Sequence, residues 1–162
     1  MKIRNIYKTF YVLLCVLFIG DAVAQKTEVP LRFDHYYTYE GIVDAVKALN
    51  KAYPDLTQTV VVGKSEENRE IWALEINNPK TGKASEKSGV YVDANIHGNE
   101  IQAGEVALYF ADYLLKNYGL LKDVTDVVDR NAYYIVPVVN VDGRYHFMVD
   151  GNTPSSSRSL RI

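Results

Sequence analysis

The chain has 162 residues, 48% of them hydrophobic and 23% charged, with a formal net charge of −2. That length supports one domain, and that balance fits a globular protein and excludes a disordered or fibrous one. Acidic residues outnumber basic ones, so nothing in the composition points to a nucleic-acid partner.

The first residues follow their own logic. Lys2, Arg4 and Lys8 are basic, residues 10–19 form an apolar run, and Ala22-Val23-Ala24 offers small residues at the cleavage positions. This is the pattern of a secretory signal peptide over residues 1–24. The run is about half of the ~20 residues that a membrane span needs. The expectation is therefore a secreted or periplasmic protein with no integral membrane segment after cleavage. Cys15, the only cysteine, lies inside the run, and the bulky Leu14 before it argues against lipid attachment. A mature chain from Gln25 carries 15 basic against 19 acidic residues, a formal charge of −4, and no cysteine. Its stability must come from a core or a bound metal rather than from disulfides.

Further on, Thr38 is placed to cap a helix in which Ile42, Val46, Leu49 and Tyr53 recur at helical spacing, and Pro54 closes it. Residues 57–63 and 70–76 are strand-like and joined by the charged turn Glu66-Glu67-Asn68-Arg69, which predicts an antiparallel pair. After a polar loop over 79–87, residues 89–96 read as a third strand. Val90, Val92, Ala94 and Ile96 fall on one face of it, and Tyr91, Asp93, Asn95 and His97 on the other. A long helix follows, from Asn99 or Glu100 to Tyr118, and Gly119 ends it. Its stripe of Ile101, Leu108, Ala111 and Leu115 is widened by Val106, Ala107, Phe110 and Leu114, which implies packing on more than one side.

Residues 123–129 form a short helix or turn, and "NAYYIVPVV" at 131–139 a strand buried on both faces. Pro137 belongs near the end of that strand, because proline cannot donate to a sheet ladder. "NVDG" at 140–143 reads as a turn, and the tail from Asp150 as a loop. Strands alternating with helices, without an internal repeat, predict an α/β fold: a mixed, mostly buried sheet with helices on both faces.

Chemistry gathers where the third strand gives way to the long helix. There "IHGNE" sets His97 and Glu100 three residues apart, so that an imidazole and a carboxylate can point into one crevice. Zinc held by two or three protein groups with an open position polarises a carbonyl and lowers the pKa of a bound water to roughly 7. Hydrolysis of an amide at neutral pH requires both. Gly98 permits close backbone approach at the same point. A lone His-x-x-Glu also arises by chance, and the bland alternative is a polar kink between two buried elements.

The longer stretch "DANIHGNEIQAGEVALYFADYLL" resembles the first metal-binding segment of the zinc carboxypeptidases of the carboxypeptidase A/B type. Upstream, "YYTYEGIVDAVKALNKAYPDLTQTVVVGKSEENREIWALEI" is similar to that family's opening helix and paired strands. Downstream, "NAYYIVPVVNVDGRY" is similar to its strand followed by Asn-Pro-Asp-Gly, with Val141 in place of the proline. The resemblance covers residues 36–158 and implies a zinc-carboxypeptidase-like catalytic domain over residues 25–162, present as its N-terminal portion.

It further implies that His97 and Glu100 are two of three ligands to one Zn2+ ion, and that the substrate is a peptide cleaved at its C-terminal bond. Arg158 in "SSSRS" is then the arginine that stabilises the developing oxyanion, although an arginine in a Ser-rich loop is otherwise simply solvated. Where the A/B enzymes carry an arginine between the ligands, this chain has Asn99, as do the His-Gly-Asn-Glu members of the family. One substrate contact is thereby left open.

The family's third ligand, a histidine, comes later than these segments, as do the Asn-Arg pair that holds the substrate carboxylate, a tyrosine and the general-base glutamate. None has a counterpart before Ile162. His146 is expected in a strand or loop as a packing or surface histidine, and His35 lies in a Tyr-rich lead; neither is expected to replace the missing ligand. The expectation is an incomplete, inactive portion of a metallocarboxypeptidase whose sheet shows an open edge. Two alternatives stay open: a zinc deacylase of N-acyl amino acids on the same fold, and a non-catalytic remnant that binds a peptide or a partner subunit.

Overall fold

A computed structural model of the chain describes residue 29 and residues 31–150. The signal-peptide segment and Arg158 lie outside the described residues. Helix α1 (Tyr39–Ala52) begins where Thr38 Oγ1 accepts the Gly41 N–H at 3.1 Å, and it buries Ile42, Val46 and Leu49 at the predicted spacing. Strands β1 (Thr57–Lys64) and β2 (Glu70–Ile76) form the expected antiparallel pair, with a bulge between Val61 and Gly63. The polar loop that follows is shaped by two single 3-10 turns, Pro79–Thr81 and Ala84–Glu86.

Strand β3 (Ser88–Asp93) leads through α2 (Gln102–Asn117) and α3 (Lys122–Arg130) to β4 (Asn131–Val136), and α4 (Val141–Asp150) comes last. The sheet order is β1-β2-β4-β3, with β4 antiparallel to β2 and parallel to β3. The mixed α/β sheet is thus as expected. Parallel pairing of β3 with β4 requires a crossover, and the α2–α3 connection supplies it. It sets the start of α2 at the carboxyl end of β3, the end at which open α/β sheets bind ligands.

One face of the sheet carries the core. Leu74 and Ile76 of β2 stand opposite Ile135 and Tyr133 of β4, and one buried cluster joins them to Val46 and Leu49 of α1, Leu108 and Leu115 of α2, Val128 of α3 and Val141 of α4. Burying each such side chain contributes about 1.5–3 kcal/mol. On the opposite face Tyr91 of β3 is 63% exposed.

Three local expectations need correction. Strand β3 stops at Asp93, short of Ile96, because Asn95 adopts φ +55 and turns its side chain inward, which breaks the alternation and leaves Ile96 exposed. Strand β4 stops at Val136, directly before Pro137, which has no N–H to offer. "NVDG" is not a free turn but the start of α4: Asn140 Oδ1 accepts the Gly143 N–H at 2.9 Å, and Asn140 O accepts the Arg144 N–H at 3.0 Å. His146 therefore sits on a helix rather than in a strand or loop.

Candidate metal centre

Between β3 and α2 the chain makes a tight turn in which His97 O accepts the Glu100 N–H at 3.1 Å. That turn brings His97 Nδ1 to 3.0 Å from Glu100 Oε2, with the two side chains 44% and 54% exposed. Two zinc ligands at about 2.0–2.1 Å and tetrahedral angles lie roughly 3.3 Å apart. The pair therefore fits one zinc ion with little adjustment, and its donor atoms face solvent. Between them Asn99 is half-buried, with an Oδ1 that has no hydrogen-bond partner.

No third His, Cys, Asp or Glu joins this pair among the described residues. His146 Nε2 lies 2.8 Å from Glu67 Oε1, part of a different cluster. His35 Nδ1 lies 3.0 Å from Asp34 Oδ1, beside a cavity of about 450 Å³ that Phe33, Gln102 and Tyr109 help to line. Neither histidine joins the pair among the described residues.

The loop is held by two asparagines whose role the sequence did not announce, and by the close approach expected at Gly98. Asn95 Nδ2 donates to His97 O at 2.6 Å and to Gly98 O at 3.4 Å, while Asn140 Nδ2 donates to Ile96 O at 3.2 Å. Two asparagine amides thus fix three successive carbonyls. Gly98 packs on the first turn of α4 so closely that a Cβ there would lie 2.7 Å from Gly143 Cα. The one available signal was the asparagine of "NVDG" followed by an acidic residue, a helix-start pattern.

Asp142 anchors α4 to the β1–β2 turn. Its carboxylate accepts from Ser65 Oγ at 2.7 Å, the Glu67 N–H at 3.1 Å and Arg69 Nη1 at 2.7 Å. The Arg69 guanidinium also stacks on the Tyr145 ring at 3.7 Å and bonds Glu67 at 2.6 Å. Arg69, and after it His146, hold the Glu67 carboxyl below its ordinary range.

Comparison with known proteins agrees with this architecture. A family model described as zinc carboxypeptidase matches residues 42–156. The chain is 35% identical over 119 residues to carboxypeptidase D of Homo sapiens, covering 74% of this chain and 9% of that protein. The crystal structure of thrombin activatable fibrinolysis inhibitor superposes with a TM-score of 0.66 at 26% identity, over 71% of this chain and 28% of that one. Carboxypeptidase A from Helicoverpa armigera gives a TM-score of 0.61 at 27% identity, over 89% and 34%. The chain spans less than a tenth of the carboxypeptidase D it matches.

Proposed function

The chain belongs to the zinc carboxypeptidase family, and from that premise we propose that His97 and Glu100 are ligands of one catalytic zinc in a metallocarboxypeptidase that hydrolyses the C-terminal bond of peptides. The carrying observation is the 3.0 Å approach of His97 Nδ1 to Glu100 Oε2 in a solvent-open turn at the carboxyl end of β3. Zinc bound there supplies a Lewis acid for the scissile carbonyl and an activated water.

The chain's own residues do the positioning. Asn95 and Asn140 fix the carbonyls of the ligand loop, and the Gly98–Gly143 contact sets its height over α4. Arg158, outside the described residues, is assigned to the developing oxyanion, where a guanidinium stabilises charge most effectively. Catalytic zinc generally uses three protein ligands, so one ligand comes from outside the described residues. Residues 1–24 direct the protein to the periplasm or the cell exterior, and no helix among the described residues is long and apolar enough to cross a membrane.

One alternative is a deacylase of N-acyl amino acids on the same fold; Asn99, which stands where the A/B enzymes carry an arginine and which the His-Gly-Asn-Glu members of the family share, leaves one substrate contact open. The complete gene product, incubated with a peptide of free C-terminus and separately with N-acetyl amino acids, discriminates the two. Release of the C-terminal amino acid is expected; hydrolysis of the N-acyl compounds alone would establish the deacylase, and hydrolysis of neither would overturn both in favour of a non-catalytic binding role.

A further inference from the structure

Arg144 is the largest fully buried side chain among the described residues. Taking a guanidinium out of water is costly unless its donors are satisfied. Here they are. Nε donates to Tyr37 O at 3.1 Å and Nη2 to Glu105 Oε1 at 2.6 Å, while Nη1 donates to Asn95 Oδ1 at 3.1 Å and to Ile101 O at 2.9 Å. Glu105 in turn accepts the Tyr37 N–H at 2.8 Å, so the ion pair is closed by backbone. Space for the cation exists because residue 104 is glycine: a Cβ there would lie 2.7 Å from Nη1.

Two of these acceptors bear on the ligand pair. Asn95 and Ile101 are the two ends of the stretch that carries His97 and Glu100, and a single nitrogen, Nη1, bonds both. Asn95 passes the constraint inward through its Nδ2 bonds to His97 O and Gly98 O. We propose that Arg144 is a positioning residue for the metal pair: one planar guanidinium, locked by Glu105 and Tyr37, pins both ends of the His97–Glu100 loop and so fixes the separation of its two donor atoms. The inference rests on the zinc assignment of that pair. Lysine cannot replace the arginine, since an ammonium lacks the planar fork that reaches all of these acceptors.

The test is the zinc dissociation constant of the complete gene product, measured by chelator competition, together with the visible spectrum of its cobalt-substituted form, which reports ligand geometry. Arg144→Lys removes the fork. Asn95→Gly keeps the left-handed backbone that φ +55 demands and removes only the side-chain link. Each is expected to weaken zinc about 10- to 100-fold, the usual effect of losing a residue that orients a ligand, and to change the cobalt spectrum, with far-ultraviolet dichroism preserved. Leu49→Ala, which loosens the core without touching the loop, is expected to lower stability and leave zinc affinity unchanged.

Folded Asn95→Gly and Arg144→Lys proteins that bind zinc within about twofold of wild type would overturn the proposal, as would an equal loss in Leu49→Ala. If Arg144→Lys does not fold, Asn95→Gly decides. His97→Ala separates the two levels: zinc affinity unchanged in that variant would overturn the metal assignment itself, whereas loss there with wild-type affinity in Asn95→Gly would overturn only the role of Arg144.

Discussion

Gly98 depends on its neighbours as strictly as the two proposed ligands depend on their chemistry. A Cβ added there meets Gly143 Cα at 2.7 Å and its carbonyl carbon at 2.8 Å. Both are backbone atoms, so neither can swing aside. Gly98→Ala is therefore expected to push the ligand loop off α4, to cost about 1–3 kcal/mol in urea unfolding, and to weaken zinc binding. An alanine variant with wild-type unfolding and affinity would show that this contact does not hold the loop. The proximity of His97 and Glu100 was legible because their spacing is local: two residue types, three positions apart, at a strand-to-helix junction, with side chains that meet at 3.0 Å. Asn95 was not legible, because alternation assigns it to a strand. Its inward, left-handed conformation is supported from Arg144, 49 residues later in the chain.

Between elements, a charged junction joins the β1–β2 turn to α4. Glu67 bonds Arg69 at 2.6 Å and lies 2.8 Å from His146, and Arg69 also reaches Asp142. Because Arg69 and His146 hold the Glu67 carboxyl below its ordinary value, its contribution to stability is fully present above the unfolded-state pKa and is lost as pH falls through the folded one. Urea midpoints measured from neutral pH into the acid range should fall for wild type, and fall less steeply for Glu67→Gln; equal slopes would remove Glu67 from the account. The elements at this junction were unequally legible. Helix α1 buries apolar residues at its own period, so the pattern shows it, whereas the β1–β2 hairpin was marked by the charged turn between two strand-like runs, since β1 leaves Val60, Val61 and Val62 exposed. Helix α4 turns Asp142 and Arg144 inward, where partners on other elements satisfy them. Its buried face therefore reads as polar, and only the Asn140 cap marks its start.

Over the whole molecule, the alternation of strands and helices made the mixed sheet legible, and the continuous apolar run of β4 fits its place between β2 and β3. Strand order was not legible, since it depends on which long-range pairing buries most surface. Among the described residues β3 stands at one edge of the sheet and β1 at the other, and α2 shows Val106, Tyr109 and Tyr113 to solvent. The ligand loop lies between β3 and α2. That location, the donor separation and the family membership are what support the proposed zinc site. The decisive measurement is the zinc content of the complete gene product after exhaustive dialysis, set beside that of His97→Ala. One zinc per wild-type chain, lost in the variant, is the result expected. A wild-type protein that retains no zinc, or a variant that retains as much as wild type, would contradict the assignment of His97 and Glu100.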